Sequence, residues 1–497
     1  MLSDIHLYIH WLKCHLLEYI LRLQLQYQVL EAEMCQSVLL PSSRCLFDDP
    51  IQVKVAGLKS RQVVTMRARS TDDRGMVFSS LATYRADGNG EIEVDKDPSL
   101  SGSYIGVEPM GLLWSMKPDT LHKRFQKTNS LNPHVVRFSV HEEEGEGRML
   151  AEATNERLLI GDGVSRIPGM RCFALSVHFH RSLFSCLSPQ VGSKGVGVIS
   201  QSKGGDIALS LAAFVPGVEA VVWINGCTGP FPAVLDLYTF GGGLSEKRAS
   251  LLASRGFVVL TVALYGHDDM PKNIKEVHLD YFEESVEFLK SLFFFPQVGS
   301  KGVGMISLSK SGDLALSVAS YLPGVEATVW INGCSANTAL PLYYKKSQIL
   351  PALMFDVSRM IPSESGAYNI KYVTNDPLLE ENKATLIPIE KAKGRFLFVV
   401  SEDDLNWDSK TYTEEMVERL KHHGKDNFES MCYPRAGHYL EPPYGPYCPS
   451  SFHSLAGKPV LWGGEPRSHA AAEVHLWKKI QEFFRSSHVS RIPRLAC

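Results

Sequence analysis

The sequence predicts a two-part α/β protein: a small antiparallel β-sandwich, then a mainly parallel sheet covered by helices on both faces. Three observations carry this. Between about 44 and 160, short runs alternate apolar and polar residues and are separated by turn clusters such as Asp87-Gly88-Asn89-Gly90, the pattern of antiparallel strands. From 231 onward, continuous apolar runs alternate with segments of helical spacing, the pattern of a parallel sheet buried on both faces. One of those runs, Gly302-Val303-Gly304-Met305-Ile306-Ser307-Leu308, ends in Ser309-Lys310-Ser311-Gly312 and is followed at once by an amphipathic segment. That is strand, sharp turn, helix.

The 497 residues are enough for about two or three domains. A formal net charge of -3 offers no basic surplus for nucleic acid or an anionic membrane. The ten cysteines form no C-x-x-C pair and keep no even spacing, so neither a zinc site nor a disulfide framework is expected. A reducing compartment is the default, with the cytoplasm as the expected location and the peroxisome and mitochondrion left open. The last residues, Pro493-Arg494-Leu495-Ala496-Cys497, are not an S-K-L-type ending.

Residues 1–37 read as a helical extension. Leu and Ile dominate 5–30, but Lys13, Glu18 and Arg22 interrupt them, and no uncharged run approaches the ~20 residues of a membrane span. Residues 38–165 form the expected sandwich, with strands at 51–55, 63–67, 76–84 and 135–140. Residues 166–228 are expected to be an irregular insertion. The catalytic part spans 229–487. Its expected strands are 231–238, 257–264, the run into Ser309, 327–332, 396–400 and 431–433. Its expected helices are 244–254, 276–294, the one after Ser309, 410–422 and 468–486. Residues 488–497 are a tail.

The insertion contains a near copy of the Ser309 region. Over 39 aligned positions, residues 189–227 differ from 296–334 at nine. The first copy has its own turn, Ser200-Gln201-Ser202-Lys203-Gly204-Gly205. A single repeat at this offset is no solenoid; a duplicated coding segment and a misassembled gene model both account for it.

The turn at Ser309 reads as a nucleophile elbow, in which a strained turn lifts a serine out at the end of a central strand. Serines 307 and 311 stand where such elbows usually have glycine. A serine hydroxyl needs a base, and the base a carboxylate to orient it. In an α/β-hydrolase sheet these follow in the order Ser, Asp or Glu, His. Phe398-Val399-Val400-Ser401-Glu402-Asp403-Asp404 sets acids at the end of a strand. Pro434-Arg435-Ala436-Gly437-His438 sets a histidine just after the next. The residues alone leave Asp403 and Asp404 both open. An oxyanion hole would use the Lys310 N–H and the loop after strand 231–238, around Thr239-Phe240-Gly241. Ser309 rather than Ser202 is the expected nucleophile. A strand, helix, strand and helix precede Ser309 in the order this fold requires, whereas Ser202 precedes the oxyanion strand.

Taken together, Phe240-Gly241-Gly242-Gly243, Ser309-Lys310, Asp403-Asp404-Leu405-Asn406-Trp407, Gly437-His438-Tyr439-Leu440-Glu441-Pro442-Pro443 and Trp462-Gly463-Gly464-Glu465-Pro466-Arg467 resemble the type I acyl-CoA thioesterase family. That family includes bile acid-CoA:amino acid N-acyltransferase. Gly106-Val107-Glu108-Pro109-Met110-Gly111 is similar to its N-terminal domain. The resemblance implies an α/β-hydrolase domain behind a β-sandwich. It further implies an acyl-CoA substrate with its acyl chain near the domain junction, and no cofactor. It singles out Asp404 beside Ser309 and His438. Hydrolysis is the expected activity. Transfer to glycine or taurine is the alternative, with a silent acyl-CoA-binding homologue a further one. Oligomeric state is left open.

Overall fold

A computed structural model describes residues 38–41, 43–142, 147–162, 164–168, 173–178, 196–201, 218–224, 231–238, 242–267, 270–292 and 302–488. The expected extension at 1–37, and the tail beyond residue 488, lie outside the described residues.

In the N-terminal domain, period-two alternation does what the sequence suggests. Strand His134–Glu142 buries His134, Val136, Phe138 and Val140 and exposes Val135 and Arg137. It pairs antiparallel with Val63–Thr71, which pairs in turn with Val77–Arg85. A small second sheet, Val38–Pro41, Val53–Ala56 and Ile92–Glu93, completes the sandwich. The core between them includes Val55, Met66, Phe78, Tyr84, Trp114 and Phe138. Strand Met149–Leu158 was not anticipated. Its Ala, Glu and Arg residues have no β preference, and pairing with His134–Glu142 imposes the conformation. It also carries a fully buried guanidinium, Arg157, which donates to the carbonyls of Phe47 and Asp49.

The catalytic sheet has eight strands. Their spatial order is Val164–Pro168, Phe173–His178, Val258–Val262, Ala233–Leu237, Val303–Leu308, Val325–Ile331, Arg395–Ser401 and Phe428–Tyr433. The last six are mutually parallel, and Phe173–His178 runs against its neighbours. Helices Leu279–Ser291, Ser311–Tyr321 and Ser409–His422 cover one face. Helices Lys247–Ser254 and Pro466–His488 cover the other. The sheet is buried on both sides, which is why its strands read as continuous apolar runs.

The expected irregular insertion at 166–228 needs correcting at its start. Residues 164–178 supply the two outermost strands on that side of the sheet. Arg166 and Pro168 interrupt their apolar pattern, and an edge strand tolerates both. Farther along, Val196–Gln201 and Val218–Ile224 pair parallel as a separate two-stranded sheet. Their register, Gly197 to Ala220 through Gln201 to Ile224, is that of Gly304 to Ala327 through Leu308 to Ile331. The second copy, not the first, occupies the centre of the catalytic sheet.

The ends flanking the first copy are close together. His178 lies beyond Ser176, which pairs with Val259, while Ala233 pairs with Val258. Both ends are thus at one edge of the sheet, about 10 Å apart at two strand spacings. Deleting 189–227 still leaves residues 179–188 and 228–232 to span that gap. The variant should fold with a melting midpoint no lower than wild type. A fall of more than about 5 °C would mean that the first copy supports the body.

Candidate active site

The sheet brings its candidate groups together at the C-terminal ends of Val303–Leu308, Arg395–Ser401 and Phe428–Tyr433, with Val325–Ile331 lying between the first two. Ser309 follows Leu308 with φ 62°, a left-handed backbone that costs a non-glycine residue about 1–3 kcal/mol. Its N–H donates to the Ile331 carbonyl at 2.9 Å, and its own carbonyl accepts from Gly312 N–H at 2.8 Å. Close packing sets the size limit here: a Cβ on Gly312 would lie 2.7 Å from Trp330 Nε1. Ser311 puts its added bulk to use. Its hydroxyl donates to the Leu237 carbonyl at 2.6 Å and accepts from Leu308 N–H at 3.0 Å. It thereby clamps the elbow to the strand that leads into 239–241.

Asp404 is buried, and Asp403 beside it is exposed. Asp404 Oδ2 accepts from His438 Nδ1 at 2.8 Å and from the Ser409 hydroxyl at 3.2 Å. Oδ1 accepts from the backbone N–H groups of Asn406 and Trp407 at 2.7 and 3.0 Å. Four donors hold this carboxylate in place. Because Nδ1–H is bound to the acid, Nε2 of neutral His438 carries the lone pair. That nitrogen is buried and has no hydrogen-bond partner among the described residues. The imidazole stacks on Trp462, with centroids 5.4 Å apart and planes at 16°. Its backbone N–H donates to the Trp462 carbonyl at 2.7 Å. No hydrogen bond joins Ser309 Oγ to His438. Oγ instead accepts from the indole Nε1–H of Trp407 at 3.3 Å.

Of the expected oxyanion groups, Lys310 heads helix Ser311–Tyr321. Its Nζ forms a buried pair with Asp313 Oδ2 at 2.6 Å, which Thr338 also holds through its N–H and hydroxyl. Phe240 and Gly241 lie outside the described residues. Gly242 and Gly243 just beyond them both have φ 75°.

Ser309 and Lys310 open onto a cavity of about 350 Å³, where the N-terminal domain meets the catalytic one. Asp72, Arg74 and Arg124 line it from the first domain, and Tyr439, His453 and Trp462 from the second. Arg124 lies over the Tyr439 ring at 4.3 Å and donates to the Tyr238 hydroxyl at 3.4 Å. Tyr238 donates to Glu441 at 2.7 Å, and Lys247 pairs with Glu441 at 3.3 Å. Burial works against the Glu441 anion, but Lys247 and Arg124 hold its carboxyl below the ordinary value. His453 is pushed down to about 4, by burial first and then by nearby His438 and Arg124. It is neutral near pH 7.

Asn332, Trp407, Ser409 and His453 received no role from the sequence. Trp407 sits within a quoted motif, and Asn332 ends a predicted strand. Those were the available signals. Ser409 and His453 lay in segments of ordinary polarity.

The sheet order and the elbow define an α/β-hydrolase. Residues 48–169 match the family described as acyl-CoA thioester hydrolase/BAAT N-terminal region. Residues 182–238 and 277–490 match BAAT / acyl-CoA thioester hydrolase C terminal, so each matched stretch of the latter contains one copy of the repeat. The chain is 38% identical over 468 residues to human acyl-coenzyme A thioesterase 2, mitochondrial, covering 93% of this chain and 87% of that protein. It is 39% identical over 453 residues to mouse acyl-coenzyme A thioesterase 5, covering 90% and 96%. The chain belongs to the acyl-CoA thioester hydrolase/BAAT family.

The geometry separates the adjacent acids. Asp404→Asn should lower kcat by about 10⁴-fold, as loss of an orienting carboxylate does elsewhere. Asp403→Asn should stay within about threefold, because its exposed side chain faces away. Steady-state rates for the two variants test this, and the reverse ranking would reassign the acid.

Proposed function

We propose that this chain hydrolyses acyl-CoA thioesters through Ser309, His438 and Asp404. The observation that carries the reading is the 2.8 Å Asp404–His438 bond beside the left-handed turn at Ser309. Family membership supplies the substrate class. Ser309 Oγ attacks the thioester carbonyl while His438 Nε2 takes its proton. Asp404 keeps Nδ1–H bound and stabilises the imidazolium. The N–H of Lys310 and the 239–241 loop receive the oxyanion. The tetrahedral species collapses, and the CoA thiol leaves with the proton from His438. Water repeats the sequence on the acyl-enzyme and releases the acid.

These steps use no metal or redox group. Among the described residues, no cluster of three or more His, Cys, Asp or Glu could hold a metal ion. The cavity at the domain junction is the proposed acyl site. No helix among the described residues is long and apolar enough to cross a membrane. The described cysteines Cys45, Cys334, Cys432 and Cys448 are all free thiols.

The test is CoA release from an acyl-CoA chain-length series, with and without glycine or taurine. Wild type should release CoA at a rate independent of either amine. Ser309→Ala should abolish release, whereas Ser202→Ala should leave it nearly intact. Amide formation at the expense of free acid would move the activity to N-acyl transfer. Inactivation by Ser202→Ala would move the nucleophile to the first copy.

A further inference from the structure

Trp407 touches both the acid and the nucleophile. Its backbone N–H holds Asp404 Oδ1 at 3.0 Å, and its indole N–H holds Ser309 Oγ at 3.3 Å. The indole is buried, with Phe355 packed edge-on at 6.3 Å between centroids. Meanwhile His438 Nε2 has no partner among the described residues. At rest the nucleophile is therefore docked on the indole and not on its base.

As Ser309 Oγ gives its proton to His438 and bonds to the thioester carbon, the lone pair that Trp407 held is drawn into the new bond. A buried N–H is then left without an acceptor, which is costly unless another arrives. What arrives at Ser309 in that step is the thioester carbonyl. The Oγ–carbon bond forms, the hydroxyl proton passes to Nε2, and the carbonyl π pair moves onto oxygen. We infer that Trp407 Nε1–H is a catalytic donor to that oxyanion, parked on Ser309 Oγ until substrate displaces it. The inference rests on the proposed serine chemistry and adds to it a side-chain donor from the strand-end loop of the acid.

Trp407→Phe keeps the aromatic ring and removes the N–H. The expected result is a kcat on acyl-CoA lowered about 10²-fold, the usual cost of losing one oxyanion donor. KM should stay within about threefold and the melting midpoint within about 2 °C. A kcat equal to or above wild type would overturn the inference. So would a loss of activity that only tracks a fallen midpoint, provided the following measurement also fails. In Ser309→Ala, which should hold acyl-CoA without cleaving it, the indole N–H resonance of Trp407 is followed by NMR. It should move downfield on adding acyl-CoA but not on adding CoA alone. An identical response to both would show that the N–H does not bind the thioester oxygen. The parent reading is read separately: a wild type that neither releases CoA nor reacts with a fluorophosphonate would refute the serine chemistry itself. An active wild type with an unaltered Trp407→Phe variant would refute only the donor.

Discussion

A buried asparagine holds the reactive ends of the sheet in register. Asn332 follows strand Val325–Ile331 in a left-handed conformation, φ 46°, which asparagine adopts more readily than most residues. Its Oδ1 accepts from Ser401 N–H at 2.8 Å, and its Nδ2 donates to Ser401 Oγ at 2.9 Å and to the His438 carbonyl at 2.7 Å. Its backbone N–H donates to the Val399 carbonyl at 3.0 Å. One fully buried amide thus joins the strand beside the elbow, the strand that leads to Asp404, and the loop that carries His438. Each of those groups would be costly to bury unpaired. Coincidence of Asp404 and His438 therefore follows from satisfying backbone polarity where three strands end.

The N-terminal domain belongs to the same construction. Asp48 accepts from the Trp477 indole at 2.7 Å and pairs with Arg255 at 2.8 Å. On the cavity side, Arg124, Tyr238, Glu441 and Lys247 form a chain from the sandwich through the end of strand Ala233–Leu237 to the loop after His438. The charges alternate along it, which is how ionised groups tolerate burial. The first domain is thereby a wall of the cavity that Ser309 faces, and not an appendage.

The parts of the fold that were legible are those where one force dominates. The apolar runs at 231–238, 302–308 and 396–400 read as buried parallel strands, and the sharp turn at Ser309 announced itself by small residues. The order of a serine, a strand-end acid and a histidine was readable from the chain, while the choice of Asp404 over Asp403 came only from the family resemblance. Strand Met149–Leu158 was not legible, because only its neighbours make it a strand. The edge strand at 164–168 was missed because an edge relaxes the apolar pattern, and its neighbour at 173–178 was read as part of the insertion. The role of Ser311 was hidden for a different reason. A hydroxyl at an elbow reads as bulk until its acceptor, the Leu237 carbonyl some seventy residues away, is known. Asn332 and Trp407 act through contacts that no local pattern encodes.

The matched registers of the two copies bear on how this chain is made. Val196–Gln201 with Val218–Ile224, and Val303–Leu308 with Val325–Ile331, present nearly equivalent hydrogen-bonding edges. During synthesis the earlier pair leaves the ribosome before strand Ala233–Leu237, the partner that both could accept, and well before its rival. Domains fold as their segments emerge. The slot at the centre of the sheet is thus open to a stand-in for the time it takes to translate about a hundred further residues, until helix Leu279–Ser291 and the second copy arrive. The duplication makes folding of this enzyme a contest between siblings, and helices Leu279–Ser291 and Ser311–Tyr321 tie the later one to its neighbours in the sheet.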